Sequence, residues 1–461
     1  MRVFSYNIYC IIIIPNQNEQ QENDMSLKVL KFGGSSLADA EHFRQVAEII
    51  KSEPERRYIV ASAPGKRDSS DIKVTDLLYE CYELLFNDED ITEIFDKITS
   101  RYNDIIAGLG IDLDLTEVYE KIKRSFIHNA GRDYIASRGE YLNAMILAKY
   151  LGFDFVDAKK VIFFNDNGTF DSERTNDVLR DYLSKHEHVV IPGFYGSMPN
   201  GTIKTFSRGG SDITGSIVAR AASATIYENW TDVSGFLMAD PRCIPNPKPI
   251  EVITYRELRE LSYMGATVLH EDSIFPVRYS KIPINIRNTN RPEDKGTFIV
   301  PETDVISEDI ITGIAGKTGF STITIEKDNM NSELGFGRRV LQVIEENGVS
   351  FEHFPSGIDT MSVVISTKEL ASKRADIMAG ICKVVNPENI SVEENLALIA
   401  IVGRSMVKAK GTAARIFTAL ANAGVNIRMI DQGSCELNII VGVDSNDYIT
   451  ALQSIYDEFV K

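Results

Sequence analysis

Residues Gly335 to Phe354 (GFGRRVLQVIEENGVSFEHF) align without a gap on Gly411 to Ile430 (GTAARIFTALANAGVNIRMI), an offset of 76 residues that also places Gly348 on Gly424 and Gly357 on Gly433. A self-similarity of that length is one supersecondary unit used twice. Each copy is expected to open a helix just after a glycine, keep its apolar positions on one face, and stop at an Asn/Ala-Gly C-cap before a β-branched strand. A strand, one helix and further strands are too few to bury both faces of their own sheet. The copies are therefore expected to pack on each other or on a partner chain. They are assigned to residues 304–385 and 394–461.

From Leu27 to about Val300 the pattern differs: short apolar runs alternate with longer amphipathic stretches, as in an α/β sheet. Tyr58–Ala61, Val189–Ile191 and Ile284–Ile286 read as strands, and Asp76 to about Phe86 and Ser216–Ala222 as helices. The expected architecture is α/β, with a three-layer α/β/α unit at residues 25–303 followed by the two smaller repeats. A length of 461 residues also predicts about three domains.

The charged fraction of 25% and the hydrophobic fraction of 43% are those of a soluble globular chain. A formal net charge of -17 argues against a nucleic-acid partner, because phosphate neutralisation requires surplus Lys and Arg. Cys10, Cys81, Cys243, Cys382 and Cys435 form no CxxC pair, which suits a reducing, cytoplasmic setting and offers no metal framework. Ile11–Ile14 make an apolar stretch too short to span a bilayer, and no small-residue cleavage site follows Pro15. Residues 1–24 are read as a disordered extension or a mis-assigned start ahead of Met25, and the chain as having no membrane partner.

Four short motifs carry candidate chemistry. Lys31-Phe32-Gly33-Gly34-Ser35-Ser36 follows a strand; adjacent glycines expose N–H groups to an anion, and the lysine adds a point charge. The spacing is neither GxxxxGK[ST] nor GxGxxG, and taken alone such a turn is an ordinary strand-to-helix connection. Ser207-Arg208-Gly209-Gly210-Ser211-Asp212 opens a helix at about Ile213, with Arg208 able to grip a carboxylate, unless Ser211 or Asp212 merely caps the helix. Trp230-Thr231-Asp232-Val233-Ser234-Gly235 precedes Asp240-Pro241-Arg242, where Thr231 and Asp232 offer contacts to ribose or adenine and Arg242 to phosphate; Asp-Pro is equally a plain turn. Ser137-Arg138-Gly139-Glu140 reads as helical, its Glu140 either an ammonium ligand or a solvated surface carboxylate.

In this order and at these separations the four motifs, with the tandem C-terminal repeats, resemble the aspartate kinase branch of the amino-acid-kinase family over essentially the whole chain from Met25. The resemblance implies an amino-acid-kinase domain followed by two ferredoxin-like ACT modules of βαββαβ type, acting as a monofunctional enzyme. It implies transfer of the ATP γ-phosphate to the side-chain carboxylate of L-aspartate, giving 4-phospho-L-aspartate on the way to lysine, threonine and methionine. Lys31, Gly33, Gly34 and Ser35 would hold the ATP phosphates, with Thr231, Asp232 and Arg242 on the nucleotide and Lys281 supplying further charge. Ser62 and Thr75 would flank the substrate, Glu140 would bind its ammonium and Arg208 a carboxylate, and Phe194, Ser211 and Asp212 would complete the pocket. Lys31 would stabilise the transferring phosphoryl group while Asp212 organises the site. Because the acceptor carboxylate is already ionised, positioning and charge neutralisation carry the rate. Mg²⁺ would arrive with ATP, without a dedicated protein cage.

Two departures from the family pattern bear on the adenine side: Leu237 stands where Tyr is common, and Thr267 where Lys is frequent. In the first repeat Met330, Gly335, Ser356, Gly357, Ile358 and Asp359 would line a site for an amino-acid effector, lysine or threonine or both; the plain alternative makes Met330 and Ile358 core and the glycines turns. In the second repeat Met406, Gly411, Asn426 and Gln432 are the equivalents, read as contacts within a homodimer or homotetramer. The competing functions are a kinase for glutamate, acetylglutamate or a nucleoside monophosphate, and a catalytically silent amino-acid sensor.

Overall fold

The computed structural model describes residues 26–128, 130–207, 209–265, 275–303 and 309–460. The expected extension at residues 1–24 lies outside them.

Up to residue 300 the strands are β1 (Lys28–Phe32), β2 (Arg56–Ala61), β3 (Asp154–Phe155), β4 (Val189–Pro192), β5 (Tyr195–Ser197), β6 (Ile203–Thr205), β7 (Ile226–Thr231), β8 (Val252–Thr254), β9 (Ile284–Asn288) and β10 (Thr297–Val300). The helices are α1 (Ala40–Lys51), α2 (Val74–Phe86), α3 (Thr92–Leu109), α4 (Thr116–Ile127), α5 (Arg132–Leu151), α6 (Ser172–Leu183), α7 (Gly210–Ala221), α8 (Tyr255–Tyr263) and α9 (Phe275–Tyr279). Eight strands form one sheet in the order β3-β4-β2-β1-β7-β9-β10-β8, parallel throughout except between β9 and β10.

The twofold period of a strand sorts side chains between two cores. Val29, Val60 and Ile191 join Leu179 of α6 and Ile217 of α7 on one face, whereas Leu30, Phe32, Ile59 and Val190 join residues of α1 to α5 on the other. Burial on both faces explains why these strands read as continuous apolar runs. The three-layer arrangement follows. Helix α7 begins at Gly210 rather than near Ile213, and Gly215 lies inside it because a Cβ there would sit 2.4 Å from the Tyr227 hydroxyl.

The C-terminal half contains β11 (Gly313–Glu326), α10 (Phe336–Glu346), β12 (Thr360–Ser366), α11 (Thr367–Ala371), α12 (Arg374–Val385), β13 (Asn389–Val402), α13 (Thr412–Asn422), β14 (Ile427–Asp431), β15 (Asn438–Asp444) and α14 (Tyr448–Val460). Helices α10 and α13 start after Gly335 and Gly411 and end ahead of Gly348 and Gly424, all four at positive φ, as the repeat predicts. The strand expected after the first of these helices is reduced to isolated bridges at His353 and Ser356; Pro355 offers no N–H there, and Asp431 holds the matching place in β14.

The repeats share one antiparallel sheet, β12-β11-β13-β15-β14. Gly313–Lys317 of β11 pair with Leu398–Val402 of β13, while Phe320–Glu326 pair with Asn389–Leu396 and with β12, the shift in register falling at Gly319. Each long strand thus lends one half to each repeat. The first repeat has its own core around Ile323, Val340, Val363 and Ile377, whereas the core of the second runs on into the N-terminal half through Leu261, Met238 and Ile314.

Helix α8 holds this junction. Its Glu257 closes a capping box with Thr254 and is fully buried, accepting from Thr312 Oγ1 at 2.6 Å and from the Arg404 N–H and Nη1 at 2.9 and 3.0 Å. Burial opposes the charge on Glu257, yet these donors hold its carboxyl below its ordinary range. Around it, Ile314 N donates to Met238 O, Lys248 N to Tyr456 Oη and Asn438 Nδ2 to Glu260. Glu257→Ala strands Arg404 and three further donors, Thr312 Oγ1 and the N–H and Oγ1 of Thr254, and is expected to cost ~3 kcal/mol in urea unfolding, with Glu257→Gln recovering part of the loss.

Candidate active site

Strands β1, β2 and β7 run parallel, and the chain leaves their carboxyl ends on both sides of β1, a point where sheet connections diverge and a crevice opens. A cavity of about 590 Å³ lies there. Of the residues singled out in the sequence, Lys31, Gly33, Gly34, Ser35, Ser62, Thr75, Glu140, Ser211, Asp212, Thr231 and Asp232 line it.

Lys31 is 7% exposed near the end of β1 and would be costly there alone. Asp212, in the first turn of α7, answers it at 2.6 Å. Asn229 on β7 joins both, donating from Nδ2 to Asp212 at 2.9 Å and accepting from Lys31 Nζ at 3.4 Å. Asn229 escaped the sequence reading; the available signal was a lone amide in an otherwise buried run, Ile226–Thr231. Neither Ser211 nor Asp212 caps α7, since the N-cap is Gly209 with φ 57° and no side chain bonds across it.

The glycine turn is built by backbone contact. Gly65 N donates to Gly34 O at 2.7 Å, and Gly33 N to Trp230 O at 3.0 Å. A Cβ on Gly34 would lie 2.8 Å from Ala63 O, and one on Gly65 2.6 Å from the Gly34 carbonyl carbon. These approaches exclude a side chain and leave the floor of the cavity as bare backbone. The substrate-side segment is braced likewise: Asn143 Nδ2 donates to Ser62 O at 2.7 Å.

Glu140 is no surface carboxylate. It stands in the middle of α5, 5% exposed, facing the cavity with Oε2 unpartnered among the described residues. Burial pushes its carboxyl up to about 8, against the pull of nearby backbone N–H groups and Arg138. An orphaned buried carboxyl oxygen aimed into a cavity is fit to receive an ammonium group.

Three assigned residues are not brought to this cavity. Arg242 is 86% exposed and doubly held by Asp240, at 3.0 and 2.6 Å, in the Asp-Pro turn. It lines a separate cavity of about 220 Å³ between the two halves, with Leu237, Met264, Ile314 and Tyr448. Lys281 lies exposed at φ 55° just before β9, at the amino end of that strand, whereas the cavity lies at the carboxyl ends. Phe194, at φ 79°, packs its ring on Gly210 and donates its N–H to Thr214 Oγ1, bracing the start of α7 from behind. Arg208 and Thr267 lie outside the described residues.

In the first repeat the effector candidates split. Asp359 accepts from Asn329 N at 2.8 Å, and Ile358 O from Asn331 N at 3.0 Å, which joins the turn of Ser356–Asp359 to the segment of Met330. Met330 is core, 3% exposed; Ile358 is not, at 67%.

Comparison with known proteins agrees with this layout. The model of the amino acid kinase family matches residues 26–288, and an ACT domain model matches residues 399–459. Aspartokinase 3 of Bacillus subtilis is 38% identical over 452 residues, 94% of this chain and 98% of its own. This chain belongs to the amino acid kinase family, among the aspartokinases. It is an ATP-dependent kinase. The aspartate kinase of Clostridium acetobutylicum superposes with a TM-score of 0.88 at 51% identity, covering 94% of this chain and 99% of that one. Escherichia coli aspartokinase III in complex with aspartate and ADP (R-state) gives 0.71 at 26%, covering 94% and 100%. Within this aspartokinase fold no described helix is long and apolar enough to cross a membrane.

The raised Glu140 carboxyl sets a pH dependence. The folded chain holds that proton more tightly than the unfolded one, so empty protein loses stability as pH rises from the ordinary glutamate value of 4.5 towards about 8. A ligand ammonium reverses the preference. Amino-acid substrate is therefore expected to bind more tightly as pH rises to about 8, with proton release seen by calorimetry in buffers of different ionisation enthalpy, and Glu140→Gln should abolish that release.

Proposed function

We propose that this chain phosphorylates the side-chain carboxylate of L-aspartate, giving 4-phospho-L-aspartate and ADP. The observation that carries the reading is the pairing, in one cavity, of a glycine turn beside Lys31 with the orphaned buried oxygen of Glu140. The first suits a polyphosphate and the second the ammonium of an amino acid. Acetylglutamate as acceptor fits less well, since acetylation removes the ammonium that Glu140 would receive.

In this mechanism Glu140 anchors the amino group and the Gly33–Gly34 turn aligns the phosphates by backbone N–H groups. The acceptor carboxylate attacks without needing a base, and Lys31, aimed by Asp212 and Asn229, stabilises charge on the phosphoryl group in transfer. Asp212 and Asp232 give the cavity two carboxylates, a set that fits Mg²⁺ carried in on ATP; among the described residues no cluster forms a full metal cage. Bound there, the ion would neutralise phosphate charge. Ser62, Thr75 and Ser211 line the walls as aspartate contacts, Thr231 and Asp232 as nucleotide contacts, and Arg208 is assigned the second carboxylate.

The regulatory half is read as a sensor for lysine first, threonine second, with the Ser356–Asp359 turn, Met330 and Gly335 at its site and a homo-oligomer formed through the exposed edge of β14. E. coli aspartokinase III has been solved with lysine and aspartate in a T-state. A cytoplasmic location goes with this reading, supported by the free thiols of Cys81, Cys243, Cys382 and Cys435.

ADP release with Mg²⁺ should require aspartate, not glutamate or acetylglutamate, and fall on adding one effector. Lys31→Ala and Asp212→Ala should each lower kcat by about 10²-fold or more in folded protein. Near-normal turnover in both would remove their assigned roles. Asp359→Ala should weaken inhibition while leaving turnover intact; unchanged inhibition would move the effector site elsewhere.

A further inference from the structure

The described charges around the cavity do not add up to a site for a polyanion if Lys31 is its sole cation. Asp212 already offsets Lys31 at 2.6 Å, and Asp68, Glu140 and Asp232 are also in the lining. Two more cations complete it, Lys66 and Lys73, both exposed and both without an ion pair or side-chain hydrogen bond among the described residues.

Their position is fixed by the loop that carries them. Val74 N donates to Pro64 O at 3.3 Å, closing residues 64–74 into a ring with Lys66 near one end and Lys73 at the other. The buried Arg101 holds the ring from behind, donating to Gly65 O at 2.7 Å, Ala38 O at 3.1 Å and Asp71 at 2.6 Å. Asp71 is also gripped by Arg67, and the two guanidinium groups hold its carboxyl far below the usual carboxylate range. The Gly65–Gly34 contact ties the ring directly to the glycine turn. Two cations are thus carried into the cavity lining on a braced loop, with Asp68 of the same loop as its one carboxylate in that lining.

We infer that Lys66 and Lys73 bind the terminal phosphoryl oxygens of ATP from the side opposite Lys31. Positive charge then meets the equatorial oxygens from both flanks, where charge spreads as the phosphoryl group moves from ADP to the acceptor carboxylate. The inference rests on the kinase reading and adds two residues to it.

The test uses full-length Lys66→Ala, Lys73→Ala and double variants, with Lys→Arg partners, measuring by calorimetry the binding of Mg-ADP and of Mg with the β,γ-imido analogue of ATP, and separately aspartate-dependent turnover. The double variant should lose about tenfold or more in affinity for the triphosphate analogue, keep its ADP affinity within about twofold, and lose kcat rather than only raise KM; Lys→Arg should restore most of the binding. Equal loss for ADP and the analogue, or no loss for either, overturns the inference. Thermal unfolding of the variants separates a folding defect from a lost contact, since both side chains are exposed. Wild-type protein that binds the analogue but does not turn over aspartate would instead overturn the choice of acceptor and leave the two lysines standing.

Discussion

An ammonium group at the carboxyl end of a buried strand is tolerable only with a partner, and the catalytic half is arranged around that requirement. Lys31 and Asp212 come from elements 181 residues apart, and Asn229 bonds to both. The contact forces the first turn of α7 against the junction of β1 and β7, which opens the crevice and aims the helix N-terminus into it. Phe194 accepts an unfavourable left-handed backbone to brace that turn, its ring filling the space left by the missing side chain of Gly210. The same ion pair leaves Lys31 electrically offset in the resting site, so the charge that a triphosphate needs must come partly from elsewhere.

The C-terminal half is bound to this centre by a second buried charge. Glu257 serves at once as N3 of a capping box, acceptor for Thr312 of the incoming strand and partner of Arg404 of the second repeat. Because β11 and β13 each span both repeats, two continuous strands join the first repeat to Ile314 and Val402, beside α8. Each of these fourteen-residue strands is paired on both sides over one half of its length, β11 with β12 and β13 over Phe320–Glu326, and β13 with β11 and β15 over Leu396–Val402.

Much of this was legible in the residues. The repeat at an offset of 76 foretold helices α10 and α13 with their glycine boundaries, since a left-handed C-cap leaves a mark in sequence. Strands β2, β4 and β9 were visible as apolar runs, because strands covered on both faces carry no polar alternation. The motif residues Lys31, Gly33, Gly34 and Asp212 were found as short strings, and folding gathered them into one cavity. Arg242 and Lys281 stand outside the cavity for an equally physical reason: a string of letters does not say that Asp240 will take the guanidinium, or at which end of β9 a lysine will stand.

What the sequence alone determined, then, was the local grammar: two copies of one helix-and-strand unit, a parallel sheet ahead of them, glycine turns where only bare backbone fits, and a formal net charge of -17. These depend on neighbours along the chain. Tertiary structure alone decided the rest: that Glu140 is buried with an unpartnered oxygen, that Asn229 joins Lys31 to Asp212, that the ring from Pro64 to Val74 sets two lysines at the cavity mouth, and that the repeats merge into one sheet. Burial, partner and charge state are properties of side chains that meet across long stretches of sequence, and they exist only once the chain has closed those distances.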